Sequence, residues 1–108
     1  MNDAQRARIH RFLTFGVFCN QVLAYRYGVP KRILQKLHDY RLSFESATKD
    51  ERLGKIAENR LQVCENLIRY ATSFNLGATE SATEFKAKAI ELHNEGDRLI
   101  NEVIDRGI

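Results

Sequence analysis

Two cysteines and three histidines are the side chains of this sequence that could hold a metal ion or take part in nucleophilic chemistry. Cys19 and Cys64 form no CxxC pair, and His10, His38 and His93 show no ligand spacing with one another or with the cysteines. Metal sites need several such ligands close together, usually at short fixed spacings. Both cysteines lie among apolar residues, which predicts two buried, reduced thiols. We therefore expect no catalytic residues, no metal site and no cofactor, and the chain is not expected to be an enzyme.

The elements that would position any other site are helices. Good helix formers dominate the 108 residues, which include a single proline and six glycines, and no run alternates polar with β-branched residues. The pattern predicts an all-α helical bundle of about four helices, over residues 4–27, 31–44, 48–75 and 82–106, in a single domain spanning 1–108. A break of the first helix at Gly16 is an open alternative, because glycine weakens a helix.

Several local signals predict where these helices begin and end. Asn2 or Asp3 is expected to cap the first helix, and Gly28 to end it. Capping boxes at residues 48–51 and 81–84, each with its first residue as the N-cap, predict the starts of the third and fourth helices. The short link between those two helices predicts an antiparallel hairpin over residues 48–108.

Basic side chains are concentrated near the start of the sequence. Residues 1–41 hold eight basic and two acidic side chains, a net charge of +6, whereas the remainder carries −3. Such a concentration predicts a region that faces a polyanion, and mutual attraction of two bundle halves is the alternative. The polar start is no secretory signal, and the uncharged stretch 12–25 is shorter than the roughly 20 residues of a membrane span. We therefore expect a cytoplasmic protein without a membrane partner.

The segment 20–39 carries a pattern of small and apolar residues that resembles the helix-turn-helix unit of bacterial and phage DNA-binding proteins. In that unit a small residue lies within the first helix, a glycine follows four residues later in the turn, and apolar residues anchor the second helix. The matching residues, together with two more expected to point inward, are Ala24, Gly28, Val29, Leu34, Leu37, Leu23 and Tyr27. Val22 and Ile33 depart from the pattern, because such units usually have polar residues there.

The resemblance implies that residues 1–44 form a basic helix-turn-helix-like pair whose second helix enters a major groove with its outer face. That face would consist of Lys31, Arg32, Gln35 and Lys36, and phosphates would be contacted by Arg6, Arg11 and Arg26. Two ordinary antiparallel helices joined by a Gly-Val-Pro turn are the alternative interpretation.

The last predicted helix carries apolar or small residues at alternating spacings of three and four. These residues are Phe85, Ala89, Leu92, Gly96, Leu99 and Val103. Such an a/d seam predicts that two chains associate through the hairpin as a dimer or other homo-oligomer.

Taken with the basic segment, this seam predicts a small DNA-binding protein, a bacterial or phage regulator or accessory factor, whose two copies would bind two half-sites. The alternative is a helical protein–protein interaction module that binds one protein partner and no nucleic acid. An inhibitor, an adaptor or an immunity-type protein would fit that description.

Overall fold

The computed structural model describes residues 1–106, which form four α-helices: α1 Asp3–Ala24, α2 Lys31–Ala47, α3 Gly54–Asn75 and α4 Thr79–Asp105. These residues contain no strand, which confirms the predicted all-α fold of about four helices. The molecule measures 44 × 23 × 20 Å. Its long axis is set by α4, whose 27 residues span about 40 Å at about 1.5 Å per residue.

Successive helices run antiparallel, as the neighbours of their ends show. Arg8 near the start of α1 contacts Asp50 just past the end of α2, and Asn75 at the end of α3 contacts Val29 just before the start of α2. Ile56 near the start of α3 lines a surface pocket together with Val103 near the end of α4. The α3 helix packs against the other three helices, and within residues 1–106 helices α2 and α4 do not touch. Helices α2 and α4 therefore lie on opposite sides of the bundle, separated by α1 and α3.

Aromatic rings fill the space between α1 and α2. The residues of this cluster are spaced by three in α1 and by four in α2: Phe12, Phe15, Phe18, Tyr40 and Phe44. The Phe15 and Phe44 ring centroids are 4.8 Å apart and nearly perpendicular, and those of Phe15 and Tyr40 are 5.0 Å apart. All five side chains are buried, so the aromatic series of α1 is part of the core.

The α1 helix begins at one of the two predicted N-caps but ends before the predicted boundary. Asn2 is its N-cap and forms a capping box with Gln5, each side chain accepting from the other residue's backbone N–H. The helix runs unbroken through Gly16 and ends at Ala24, three residues before the predicted end. Gly28 therefore lies within the connection rather than at the C′ position.

The predicted capping box at residues 48–51 is wrong, because α2 continues to Ala47 and buries that residue in the core. Thr48 is consequently the C-cap of α2, and its backbone N–H donates to the Phe44 carbonyl at 3.1 Å. Asp50 instead accepts hydrogen bonds from the backbone N–H groups of Arg52 and Leu53, both at 2.8 Å. The α3 helix then begins at Gly54.

The predicted capping box at residues 81–84 is also wrong. Gly77 adopts a φ of +77° and ends the α3 segment, and α4 begins immediately afterwards at Thr79. Residues 81–84 consequently lie inside α4, where the side chains have no free helix terminus to cap. The connection between α3 and α4 is nevertheless short, and the predicted antiparallel hairpin is present.

The seam of α4 faces α3 of the same chain. Ala89 is 2% exposed, Gly96 is buried, and the other members are half-buried against the core. These seam residues are Phe85, Ala89, Leu92, Gly96, Leu99 and Val103. The assignment of this seam to a subunit interface is therefore corrected, because the α3–α4 hairpin closes on itself. Association of two chains stays a prediction with no surface assigned to it.

Candidate nucleic-acid interface

The connection between α1 and α2, residues 25–30, is fixed to the end of α3 by a single side chain. The Val29 backbone N–H donates to Asn75 Oδ1 at 2.7 Å, and Asn75 Nδ2 donates to the Val29 carbonyl at 3.0 Å. Val29 itself is buried. Gly28 adopts a φ of +147°, and a Cβ there would lie 3.1 Å from Asn75 Oδ1, so this position favours glycine. The connection therefore has a defined conformation.

The first turn of α2 is electrostatically unusual for a helix N-terminus. Its N-cap is Pro30, which provides no side-chain hydrogen bond, and no acidic residue lies in the turn. Lys31 and Arg32 occupy the first two positions and are exposed. Because the N-terminus of a helix carries a partial positive charge, these two cations are repelled by it, and an anion placed there would be stabilised.

The remaining predicted residues of α2 also face solvent, as the helical spacing predicts. Gln35 and Lys36 are exposed, whereas Ile33 and Leu37 are buried on the opposite side. Lys36 Nζ lies 4.9 Å from the centre of the Phe18 ring, so its stem covers the α1–α2 aromatic cluster while its charge stays at the surface. The outer face of α2 is therefore open to a ligand.

None of the four cations near this end of the bundle takes part in an ion pair within residues 1–106. These cations are Arg26, Lys31, Arg32 and Lys36, whereas the ion pairs of the described chain use Arg6, Arg8, Arg60, Lys88, His93 and Arg98. The one acid nearby on the same face, Asp39, accepts a hydrogen bond from Gln35 Nε2 at 3.1 Å. The positive charge of this surface is therefore not neutralised by the chain itself.

The structure does not bring Arg6 and Arg11 into this cluster. Arg6 lies near the start of α1, at the opposite end of the bundle, 3.7 Å from Asp3. Arg11 lies beside the C-terminal half of α2, where its Nε donates to Ser43 Oγ at 2.9 Å and its guanidinium lies 4.4 Å from the centre of the Tyr40 ring. We therefore define the α2 N-terminal surface as Arg26, Lys31, Arg32, Gln35 and Lys36.

The arrangement of α1 and α2 differs from a helix-turn-helix unit. Such a unit joins two helices by three or four residues and crosses them at roughly 90–120°. Here a connection of residues 25–30 joins helices that contact one another along their lengths, from Phe18 beside Lys36 to Phe12 beside Phe44. Ala24, predicted to lie at a close crossing, is exposed. The α1–α2 pair is thus the ordinary antiparallel arrangement that was the alternative interpretation.

Two residues of this region were assigned incorrectly or missed at the level of sequence. Tyr27, predicted to point inward, is 99% exposed. Asn75 gave no signal, because its contact with Val29 joins residues 46 positions apart. An Asn at the end of a predicted helix, such as Asn75, indicates a helix cap. It does not indicate a hydrogen bond to a distant segment.

A second constellation, of Cys19, His93 and Asp97, has the residue types of a nucleophilic triad. Cys19 and His93 both line a cavity of about 150 Å³ between α1, α3 and α4, and His93 Nδ1 is 3.4 Å from Asp97 Oδ2. Within residues 1–106, however, His93 Nε2 has no hydrogen-bond partner. Burial raises the pKa of the Cys19 thiol to about 12. The thiol is therefore protonated and is not activated by the imidazole.

The other chemistry-bearing groups do not assemble a site. Cys64 is buried like Cys19, and both are free thiols as predicted. Residues 1–106 contain no cluster of three or more His, Cys, Asp or Glu side chains placed to hold a metal ion. None of the helices in this part of the chain combines the length and apolar character required to cross a lipid bilayer. Comparison with protein-family models, with curated proteins and with solved structures finds no match.

Proposed function

We propose that this protein binds nucleic acid through the α2 N-terminal surface and acts as a small DNA-binding regulator or accessory factor. The observation that carries the proposal is the placement of Lys31 and Arg32 in an uncapped first turn that contains no acid. Positive side chains at the positive end of a helix destabilise the free protein by electrostatic repulsion. A bound phosphate would offset this repulsion. A surface of this kind is suited to a ligand that supplies negative charge.

The spacing of the cations favours a polyanion over a single small anion. Arg32 and Lys36 are one helical turn apart, about 6 Å along the axis, and Arg26 extends the charge into the connection. Along one DNA strand, successive phosphates are separated by about 3.4 Å of rise, so these side chains can contact phosphates of neighbouring nucleotides. Gln35 lies between them and can bond a base edge.

The proposal is tested by an Arg32→Ala/Lys36→Ala double variant. Binding of a labelled oligonucleotide would be measured by fluorescence anisotropy at several salt concentrations, with circular dichroism to confirm that the helix content is unchanged. We expect the double variant to bind at least about tenfold more weakly, and the slope of log affinity against log salt to fall by about 2, because each phosphate contact contributes about 0.9.

The matched control is Lys86→Ala/Lys88→Ala, which removes the same charge from exposed positions of α4. This control is expected to keep the affinity and most of the salt slope of the parent. Equal losses in the two double variants would show that net charge alone governs binding. An absence of oligonucleotide binding by the parent protein would refute the proposal.

A protein-binding module is the second candidate function, and a different surface favours it. Leu13 and Val17 lie one turn apart on the outer side of α1 and are 45% and 73% exposed, and Ile90 of α4 is 41% exposed. Exposed apolar side chains one turn apart on a helix, such as Leu13 and Val17, are typical of protein contact surfaces. Under this alternative, the parent protein would bind no oligonucleotide at moderate salt. If its partner is a second copy of the chain, a Val17→Glu variant would abolish the self-association measured by solution mass.

A further inference from the structure

Tyr27 has a position that differs from that of every other aromatic side chain in the protein. All ten aromatic residues lie within the described residues 1–106, and nine of them are buried or half-buried. Tyr27 is 99% exposed, so its ring packs against no other part of the chain. A ring left fully in water contributes nothing to the core, and both of its faces are free to contact a ligand.

The backbone that carries this ring is held in place. Tyr27 precedes Gly28, whose φ of +147° shapes the connection. It is two residues from Val29, which both donates to and accepts from the Asn75 side chain. A tyrosine also has few rotatable bonds, so little side-chain entropy is lost when the ring is ordered by a ligand. The ring is therefore presented to solvent from a fixed point.

Positive charge lies next to the ring in sequence and at the same end of the bundle. Arg26 is its immediate neighbour, and Lys31 and Arg32 occupy the free first turn of α2 that the connection leads into. A nucleotide carries its base and its phosphate within one residue, so a strand whose phosphate lies at this turn brings a base towards the connection. Leu76, the residue after Asn75, is 80% exposed and adds apolar surface at this end.

We propose that Tyr27 is a base-stacking residue that receives one unpaired nucleobase of a strand bound to the α2 N-terminal surface. This inference rests on the proposed function and adds the class of substrate, namely nucleic acid with an unpaired base, as in a single strand. Stacking on an exposed ring tolerates any base, because every base has a flat apolar face. The rings of the α1–α2 cluster cannot take this role, since they are buried.

The experiment compares Tyr27→Ala with Tyr27→Phe, which keeps the ring and removes the hydroxyl. Three labelled probes of equal length would be used: single-stranded oligothymidylate, an oligonucleotide of abasic residues and a duplex. We expect the phenylalanine variant to bind single strands like the parent and the alanine variant to bind them about 5- to 100-fold more weakly, which is the loss of one stacked base. The salt slope should be unchanged, because no charge is removed. Abasic and duplex probes should not distinguish the variants.

Three results separate a failure of this inference from a failure of the proposed function. If Tyr27→Ala binds single strands like the parent while Arg32→Ala/Lys36→Ala does not, the stacking role is refuted and the proposed function stands. If Tyr27→Ala also weakens the abasic probe, the residue shapes the connection and does not stack, which likewise overturns the inference. If the parent binds none of the probes, the proposed function has failed.

Discussion

Gly96 of α4 lies so close to Asn59 of α3 that a Cβ on residue 96 would be 2.0 Å from Asn59 Oδ1. The same Cβ would be 2.8 Å from Nη1 of Arg60. Asn59 Nδ2 donates to the Leu92 carbonyl at 2.7 Å, and Arg60 Nη2 donates to Asp97 Oδ1 at 2.7 Å. Because residue 96 has no side chain, the polar side chains of Asn59 and Arg60 can pack directly against α4. Their hydrogen bonds to α4 fix the register of the hairpin.

A Gly96→Ala variant is expected to be less stable than the parent by about 2 kcal/mol, because the methyl group forces α3 and α4 apart or displaces two buried polar side chains. The control is Gly16→Ala, also within a helix, where the added Cβ would meet the end of the His93 side chain at 3.1 Å. That side chain can adjust, and alanine favours a helix by about 0.5–1 kcal/mol, so Gly16→Ala should be neutral or stabilising. Urea unfolding checks both, and an equally stable Gly96→Ala would contradict this account.

The ion pair of Arg60 and Asp97 predicts an asymmetry between its two partners. The Arg60 side chain is fully buried, whereas Asp97 is 48% exposed. An Asp97→Asn variant leaves a buried cation without its counter-charge and should lose on the order of 2 kcal/mol. An Arg60→Met variant removes the buried cation and fills its space, and should stay within about 1 kcal/mol of the parent. Asp105→Asn, at an exposed acid of the same helix, is the control for charge loss. Equal destabilisation by the first two variants would contradict the prediction.

The stability of the bundle is expected to fall in mild acid because of His93. Burial lowers the pKa of this imidazole from its usual value of 6.5, the Arg60 charge acts in the same direction, and Asp97 opposes both. The unfolded chain therefore binds the proton more readily than the folded one. The contribution of His93 to the free energy of unfolding is fully present above about pH 6.5. It is lost as the pH falls towards the lowered pKa. Unfolding free energies measured across this range should fall less steeply for His93→Gln, and parallel curves would refute the assignment.

Charge reversal at Lys31 should have opposite effects on stability and on binding. Lys31→Glu places an acid at the positive end of α2 and should raise the free energy of unfolding by about 0.3–1 kcal/mol, while weakening oligonucleotide binding. Lys49→Glu makes the same change in net charge just past the C-cap of α2. There the acid meets the negative end of the helix, so stability should fall slightly and binding should persist. Thermal unfolding and anisotropy titrations of both variants check the prediction.

Helical periodicity predicted most of the fold, because a core-facing stripe determines both the helix and the side that is buried. The outward direction of Lys31, Arg32 and Gln35 follows from the same stripe, since Ile33 and Leu37 must face the core. Helix ends were less predictable. The tendency of Thr48 to cap a new helix competes with burial of the residue before it, and here burial of Ala47 extended α2 past the predicted end.

The arrangement of the candidate site could not be predicted from local sequence, because it depends on contacts between distant segments. The helix-turn-helix resemblance assigned Tyr27 to the interior through the position it would hold in that unit. The Tyr27 side chain is exposed, whereas Val29, two residues later, is buried and its backbone is held by Asn75 of α3. In the same way, the seam of α4 gave the correct buried face but not the partner helix, since spacing alone does not distinguish α3 of the same chain from a second chain.

The anchoring of Val29 by Asn75 ties the candidate interface to the last residue of a helix that contributes nothing else to it. Helix ends fray before the rest of a helix melts. Fraying of the final turn of α3 would release the connection and scatter the orientations of Tyr27 and Arg26 while the bundle stays folded. Oligonucleotide affinity is therefore expected to disappear on warming at a lower temperature than helical circular dichroism, in step with faster hydrogen exchange at the Val29 amide.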